Sequence, residues 1–132
     1  MLNPVKPNPH LLTLVQYVLP EEIFQYFEII KIDEQGKELH IYLDEINEVP
    51  SCYSQNKLLS KGFHEEALIK DFPIRNKACM LHVRRRRWFN EDTGDVVSRE
   101  WDLTAKGTRY TQDFATFLKG LIGYLPDTKS FP

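Results

Sequence analysis

Residues 77–103 read KACMLHVRRRRWFNEDTGDVVSREWDL, and the fold turns on how this stretch is parsed. Lys77 to Phe89 is expected as one long strand. Asn90-Glu91-Asp92-Thr93-Gly94-Asp95 groups acidic and amide residues ahead of a glycine, a strong turn signal. Val96 to Leu103 then returns as the partner strand, so the whole predicts a hairpin. On the first strand, alternation sends Arg84, Arg86 and Trp88 to one face and Arg85, Arg87 and Phe89 to the other.

Upstream, a second hairpin is expected. Ile29 to Asp33 and Glu38 to Leu43 are apolar-rich runs joined by Glu34-Gln35-Gly36-Lys37, in which Gly36 supplies the positive φ of a tight turn. Leu39, Ile41 and Leu43 alternate with Glu38, His40 and Tyr42, the pattern of a half-buried strand. Two short helices precede it. His10 to Leu19 carries Leu11, Leu12, Leu14, Val15 and Val18 near helical spacing. Pro20-Glu21-Glu22 opens the next helix, with proline in the first turn and carboxylates at the positive end of the dipole; Ile23, Phe24, Tyr26 and Phe27 form its apolar face. Residues 44–62 carry little pattern and read as a long connection. At the other end Thr111 is a good N-cap, and Phe114, Phe117, Leu118, Leu121 and Ile122 mark one apolar helical face. Gly123 closes that helix and Pro126 blocks its continuation.

The expected fold class is therefore α+β: short N-terminal helices, two antiparallel β-hairpins forming a sheet, and a C-terminal amphipathic helix packed on it. Residues 10–125 are expected as one globular domain between flexible tails, 1–9 and 126–132. The 132 residues fit one modest core, and 42% hydrophobic against 27% charged residues is an ordinary globular balance. Cys52 and Cys79 form no CxxC pair and no disulfide scaffold, which favours a reducing compartment. No apolar run approaches a membrane span and MLNPVKPNPH lacks a signal-peptide core, so a cytoplasmic protein with no membrane contact is expected.

Charge is distributed unevenly. Residues 1–70 hold 6 Lys/Arg and 11 Asp/Glu; residues 71–132 hold 11 Lys/Arg, seven of them Arg, and 8 Asp/Glu. The second half is thus the anion-facing part. Four adjacent arginines cannot all be buried cheaply, so at least one face of that strand must meet solvent, carboxylates or an anionic partner. Arg99 and Trp101 on the returning strand, and Lys106 and Arg109 beyond it, extend a mixture of basic and aromatic residues suited to phosphate contact and base stacking. The expected DNA-binding set is Arg84, Arg85, Arg86, Arg87, Trp88, Arg99, Lys106 and Arg109. The bland reading is pairing of these arginines with Glu100, Asp102, Asp92 and Asp95 on the same hairpin.

Catalytic and metal signals are weak. His10, His40, His64 and His82 match no zinc-ligand spacing with each other or with the cysteines, so neither a metal nor a cofactor is expected. His40 and His82 alternate onto a polar face, and Cys79 lies in an apolar stretch as a core residue. The chain carries no phosphate loop, no G-x-S-x-G and no H-E-x-x-H, so neither an enzyme nor a small-molecule substrate is expected.

Leu19-Pro20-Glu21-Glu22-Ile23-Phe24-Gln25-Tyr26-Phe27-Glu28, Lys61-Gly62-Phe63, Asp71-Phe72-Pro73-Ile74-Arg75, Leu81 to Trp88 and Thr108-Arg109-Tyr110-Thr111-Gln112-Asp113-Phe114 resemble, in that order, the N-terminal region of split bacterial insertion-sequence transposases. The resemblance covers roughly residues 11–122. It is related to the zinc-finger N-terminal domain of IS-L-three-type transposases, but Asn90-Glu91-Asp92-Thr93-Gly94 stands where that group has its cysteine pair. The resemblance implies DNA binding at terminal inverted repeats, no zinc, and a separately encoded catalytic transposase chain as partner. The alternative is an accessory subunit that docks on that catalytic chain without binding DNA.

Overall fold

The computed structural model describes residues 8–105 and 108–122. Lys106, Gly123, Pro126 and most of both expected tails lie outside the described residues. Two short helices, α1 (Pro9–Val15) and α2 (Glu21–Tyr26), lead into strands β1 (Phe27–Gln35), β2 (Glu38–Glu45), β3 (Leu58–Phe63), β4 (Ala67–Ile74), β5 (Lys77–Arg84), β6 (Arg86–Asn90) and β7 (Val96–Val97). Helix α3 (Gln112–Ile122) follows. This is an α+β fold, with a four-stranded sheet ordered β1-β2-β5-β4 and a three-stranded sheet ordered β3-β6-β7.

The β1–β2 hairpin forms as expected, Gln35 opposite Glu38 and Gly36 at φ 59°. The second hairpin of the large sheet differs from expectation. It is β4–β5, and it turns at Arg75-Asn76, both at positive φ (50° and 69°), the signature of a type I′ turn made without glycine. The expected return strand Val96 to Leu103 shrinks to Val96–Val97 opposite Phe89 and Trp88, because the residues after it leave the ladder to cover the large sheet with Trp101 and Leu103. The long strand Lys77 to Phe89 breaks at Arg85 and serves both sheets. The pattern-poor stretch 44–62 contains a 3₁₀ turn, Ser51–Tyr53, and most of β3.

Parallel pairing of β2 with β5, Leu39 beside Cys79 through Asp44 beside Arg84, joins the two hairpins into one sheet. Ile41, Leu43, Ile69, Cys79, Leu81 and Val83 line its inner face, closed by Leu19, Ile23, Phe27 and Leu103. Burial pushes the Cys79 thiol up to about 12, the state of an inert core sulfhydryl. Helix α3 buries Ala115 and Leu118 against Tyr110, with Phe114 half-buried. Phe117 and Leu121, expected on that face, are 52% and 69% exposed. The segment before α3 runs alongside β4: the Lys70 N–H donates to the Arg109 carbonyl and the Thr111 N–H to the Lys70 carbonyl. That contact fixes where Arg109 sits.

Candidate nucleic-acid interface

The alternation expected through the arginine run is interrupted, because the strand breaks at Arg85 and the buried positions change from Cys79, Leu81 and Val83 before it to Trp88 and Asn90 after it. Arg84 and Arg86 stack on opposite parts of one environment, their guanidinium carbons 4.3 and 4.6 Å from the Phe63 ring centroid. Arg84 grips Asp44 with two bonds, Nε to Oδ1 at 2.7 Å and Nη2 to Oδ2 at 2.6 Å, and this contact raises its already high pKa. Arg86 donates from Nε to the Glu45 carbonyl (3.2 Å) and from Nη1 to Ser60 Oγ (2.6 Å), while its backbone N–H donates to Glu45 Oε1 (2.9 Å). Both guanidiniums are thus occupied by the protein itself.

Two further members of the expected set are also structural. Trp88 is fully buried and its Nε1–H donates to Asn47 Oδ1 at 2.8 Å, so its ring is not presented to a partner. Arg99 donates to Glu45 Oε2 (3.3 Å) and to the Glu48 carbonyl (2.7 Å), and lies 4.2 Å from the Tyr26 ring centroid. Glu45, with a side chain only 1% exposed, is the hub of this cluster, since Trp101 Nε1–H also points at Oε1 from 3.4 Å. Apart from Ser60 of β3, these hydrogen-bond partners come from the end of β2 and the loop after it, at least 40 residues away in sequence, and not from the hairpin carboxylates Asp92, Asp95, Glu100 and Asp102.

Arg85 and Arg87 have other surroundings. The Arg85 carbonyl accepts the His64 N–H (2.7 Å) where the chain passes between sheets. Desolvation, then the charges of Arg85 and Arg87, push the His64 imidazole below its ordinary value against the opposing pull of Glu45, so His64 adds no fixed cation. Its Nε2 is paired with Ser98 Oγ at 2.5 Å. Arg87 reaches the Lys61 carbonyl with Nη2 at 3.4 Å, and its Nε is buried without a partner. Arg85 and Arg109, by contrast, line one cleft of about 530 Å³ together with Thr104 and Thr108, over a floor that includes Ile69 and Val83. Among the described residues neither guanidinium has an ion-pair, hydrogen-bond or ring partner. Glu66 also lines the cleft, but its Oε2 is engaged with His82 Nδ1 at 3.1 Å.

Of the eight expected contact residues, then, Arg84, Arg86, Trp88 and Arg99 serve the fold, Arg85 and Arg109 meet in a cleft, Arg87 lies beside it on the His64 side, and Lys106 lies outside the described residues. Sequence reasoning missed Thr104 and Glu66 as cleft residues, since they are gathered only by the sheet, whereas Thr108 stands in the Thr108-Arg109-Tyr110-Thr111 motif already singled out. Among the described residues no three His, Cys, Asp or Glu side chains are grouped to hold a metal ion, and no helix is long and apolar enough to cross a membrane. Neither a family model, nor a curated protein, nor a solved structure matches this chain.

Proposed function

We propose that this chain is a non-catalytic DNA-binding module that holds backbone phosphate in the Arg85–Arg109 cleft. The observation that carries the reading is the contrast among the arginines: those at 84, 86 and 99 are bonded to carboxylate or carbonyl oxygen, while Arg85 and Arg109 converge on a cleft with no anion of their own to bind. Guanidinium pairs match phosphate oxygens bidentately, and Thr104 and Thr108 add hydroxyl groups to the same lining. The resemblance to the N-terminal region of split insertion-sequence transposases would imply the terminal repeats of a mobile element as the target and strand cleavage by a separate chain.

The test is fluorescence anisotropy of a labelled terminal-repeat duplex against the full chain at several salt concentrations, with a scrambled duplex as control. Replacing Arg85 and Arg109 together with Ala should weaken binding and flatten the log–log salt slope by about 2, one counterion-release unit per lost phosphate contact. An unchanged slope refutes the cleft as the contact. A second reading, docking on a partner protein, is favoured by one observation: Tyr17, Val18, Phe72 and Phe117 are exposed, and Phe72 lies with Tyr17 and Val18 around one groove and edge-on to Phe117 at 5.5 Å. Tight association with the catalytic chain and no DNA binding at low salt would establish that reading instead.

A further inference from the structure

The two edges of the large sheet end differently. Along β4 the chain itself takes up the edge: the Lys70 N–H donates to the Arg109 carbonyl and the Thr111 N–H to the Lys70 carbonyl. The other edge is β1, which pairs with β2 alone; among the described residues no backbone group outside that hairpin bonds to residues 28–35. Ile29, Ile30 and Ile32 along it are 42%, 50% and 59% exposed, so apolar surface continues to the open edge. Ile32 lies opposite the core residue Ile41 and stands on the apolar face of the sheet, while Lys31 and Asp33, opposite Tyr42 and His40, stand on the other face. Lys31 lies over the Tyr42 ring at 5.3 Å and Asp33 accepts from Gln35 Nε2 at 2.6 Å, but among the described residues neither is in an ion pair.

The turn Gly36-Lys37 closes on Gln35 opposite Glu38, a hydrogen-bonded pair in a two-residue hairpin. Pairs alternate from there, so Asp33 and Lys31 give their N–H and C=O groups to β2, and those of Ile32 and Glu34 point out of the sheet. A second, antiparallel β1 related by a two-fold axis through any one residue sets outward groups against outward groups, and charge then selects the centre. An axis on Lys31 sets Lys31 against Lys31 and Glu28 against Glu34. An axis on Asp33 or on Glu34 sets that carboxylate against itself. An axis on Ile32 sets Lys31 against Asp33 on both sides, with Ile32 against Ile32 between them. The bulge between Ile29 and Lys31 ends the regular edge on the far side. A mid-strand lysine and a bulge ordinarily keep an edge unpaired, but an aspartate two residues on turns this lysine into an attraction in the one register centred on Ile32.

We propose that a second copy of this chain docks on the β1 edge, antiparallel and centred on Ile32, joining the two four-stranded sheets into one. Sedimentation velocity of the full chain from ~10 μM to ~1 mM, the range suited to an interface as small as one strand pair, should show monomer passing into dimer. Lys31→Asp alone, or Asp33→Lys alone, sets like charges against each other at both contacts and should weaken the dimer by about tenfold. The double change Lys31→Asp, Asp33→Lys restores opposite charges in this register and should restore association. Hydrogen exchange on the unaltered chain tests the same edge without substitution. The Ile32 and Glu34 amides should exchange more slowly at the high end of the concentration range, while those of Lys31 and Asp33, bonded to β2, should not change. A monomer throughout the range, a dimer indifferent to the single reversals, a double reversal as weak as the single ones, or Ile32 and Glu34 amides that exchange equally at both concentrations would each overturn the proposal.

Discussion

Glu45→Ala should be the most damaging single truncation of a polar side chain in this protein. The carboxylate is 1% exposed and accepts from the Arg86 N–H, Arg99 Nε and Trp101 Nε1 at 2.9, 3.3 and 3.4 Å. Removing it strands a guanidinium whose side chain is 15% exposed, together with two neutral donors. Breaking a buried charge pair from one side costs about 3–5 kcal/mol, because the remaining charge stays desolvated. Arg99 keeps the Glu48 carbonyl and the Tyr26 ring, which argues for the lower part of that range, while the Arg86 and Trp101 donors push the other way; about 4 kcal/mol is the expected loss. Against the ~5–15 kcal/mol of an ordinary domain this is a large fraction. Glu45→Gln keeps an acceptor in place and should cost about 1–2 kcal/mol. Urea unfolding followed by tryptophan fluorescence reads both, Trp88 and Trp101 lying on either side of the cluster. A Glu45→Ala loss below about 1 kcal/mol, with an unchanged m-value, would refute the view that this carboxylate organises the arginines.

Two further stability predictions follow from local geometry. Arg75 and Asn76 both occupy positive φ, and arginine pays for that conformation where asparagine and glycine do not; the double change Arg75→Asn, Asn76→Gly should raise stability by about 1 kcal/mol, while Arg75→Val should lower it, both read from urea midpoints. Asp71 is buried, and desolvation, reinforced by Asp113, raises its pKa above the ordinary carboxylate value despite the hydrogen bond from Thr111 Oγ1 at 2.8 Å. The folded state therefore holds this proton more tightly than the unfolded state, and stability falls as pH rises from the ordinary carboxylate value through the raised one. Asp71→Asn should flatten that slope; an identical pH–stability curve in the variant would count against the buried charge.

What the sequence reveals about the fold is mostly local. The α+β class, the Gly36 hairpin and helix α3 all follow from periodicity and turn chemistry within a few residues. The second hairpin of the large sheet escapes because its turn uses Arg75-Asn76 with no glycine, and because Pro73 sits inside β4 where it speaks against a strand. Parallel pairing of β2 with β5 leaves no turn signal at all, since its strands are joined through 31 residues of other structure. The candidate site is legible to the same degree. Alternation on one continuous strand would divide Arg84 and Arg86 from Arg85 and Arg87, but the strand breaks at Arg85, and the parallel register, which sets Asp44 beside Arg84, decides which arginine is ion-paired.

That register also gives the charge asymmetry of the chain a second meaning. An acidic first half and an arginine-rich second half suggest a surface turned toward an anionic partner. Yet β2, from the acidic half, lies directly against β5, from the basic half, and Asp44 and Glu45 at its end form ion pairs with Arg84 and Arg99. Part of the asymmetry is therefore internal: opposite charges, distant in sequence, that meet where the two hairpins join in one sheet. The arginines that matter for a partner are those this pairing leaves over. Arg85 lines the cleft at the residue where the strand changes sheets, and Arg109 is carried to the same cleft by its backbone contact with β4. A basic run in a folded domain thus divides by register into residues that assemble the sheet and residues that the assembled sheet presents.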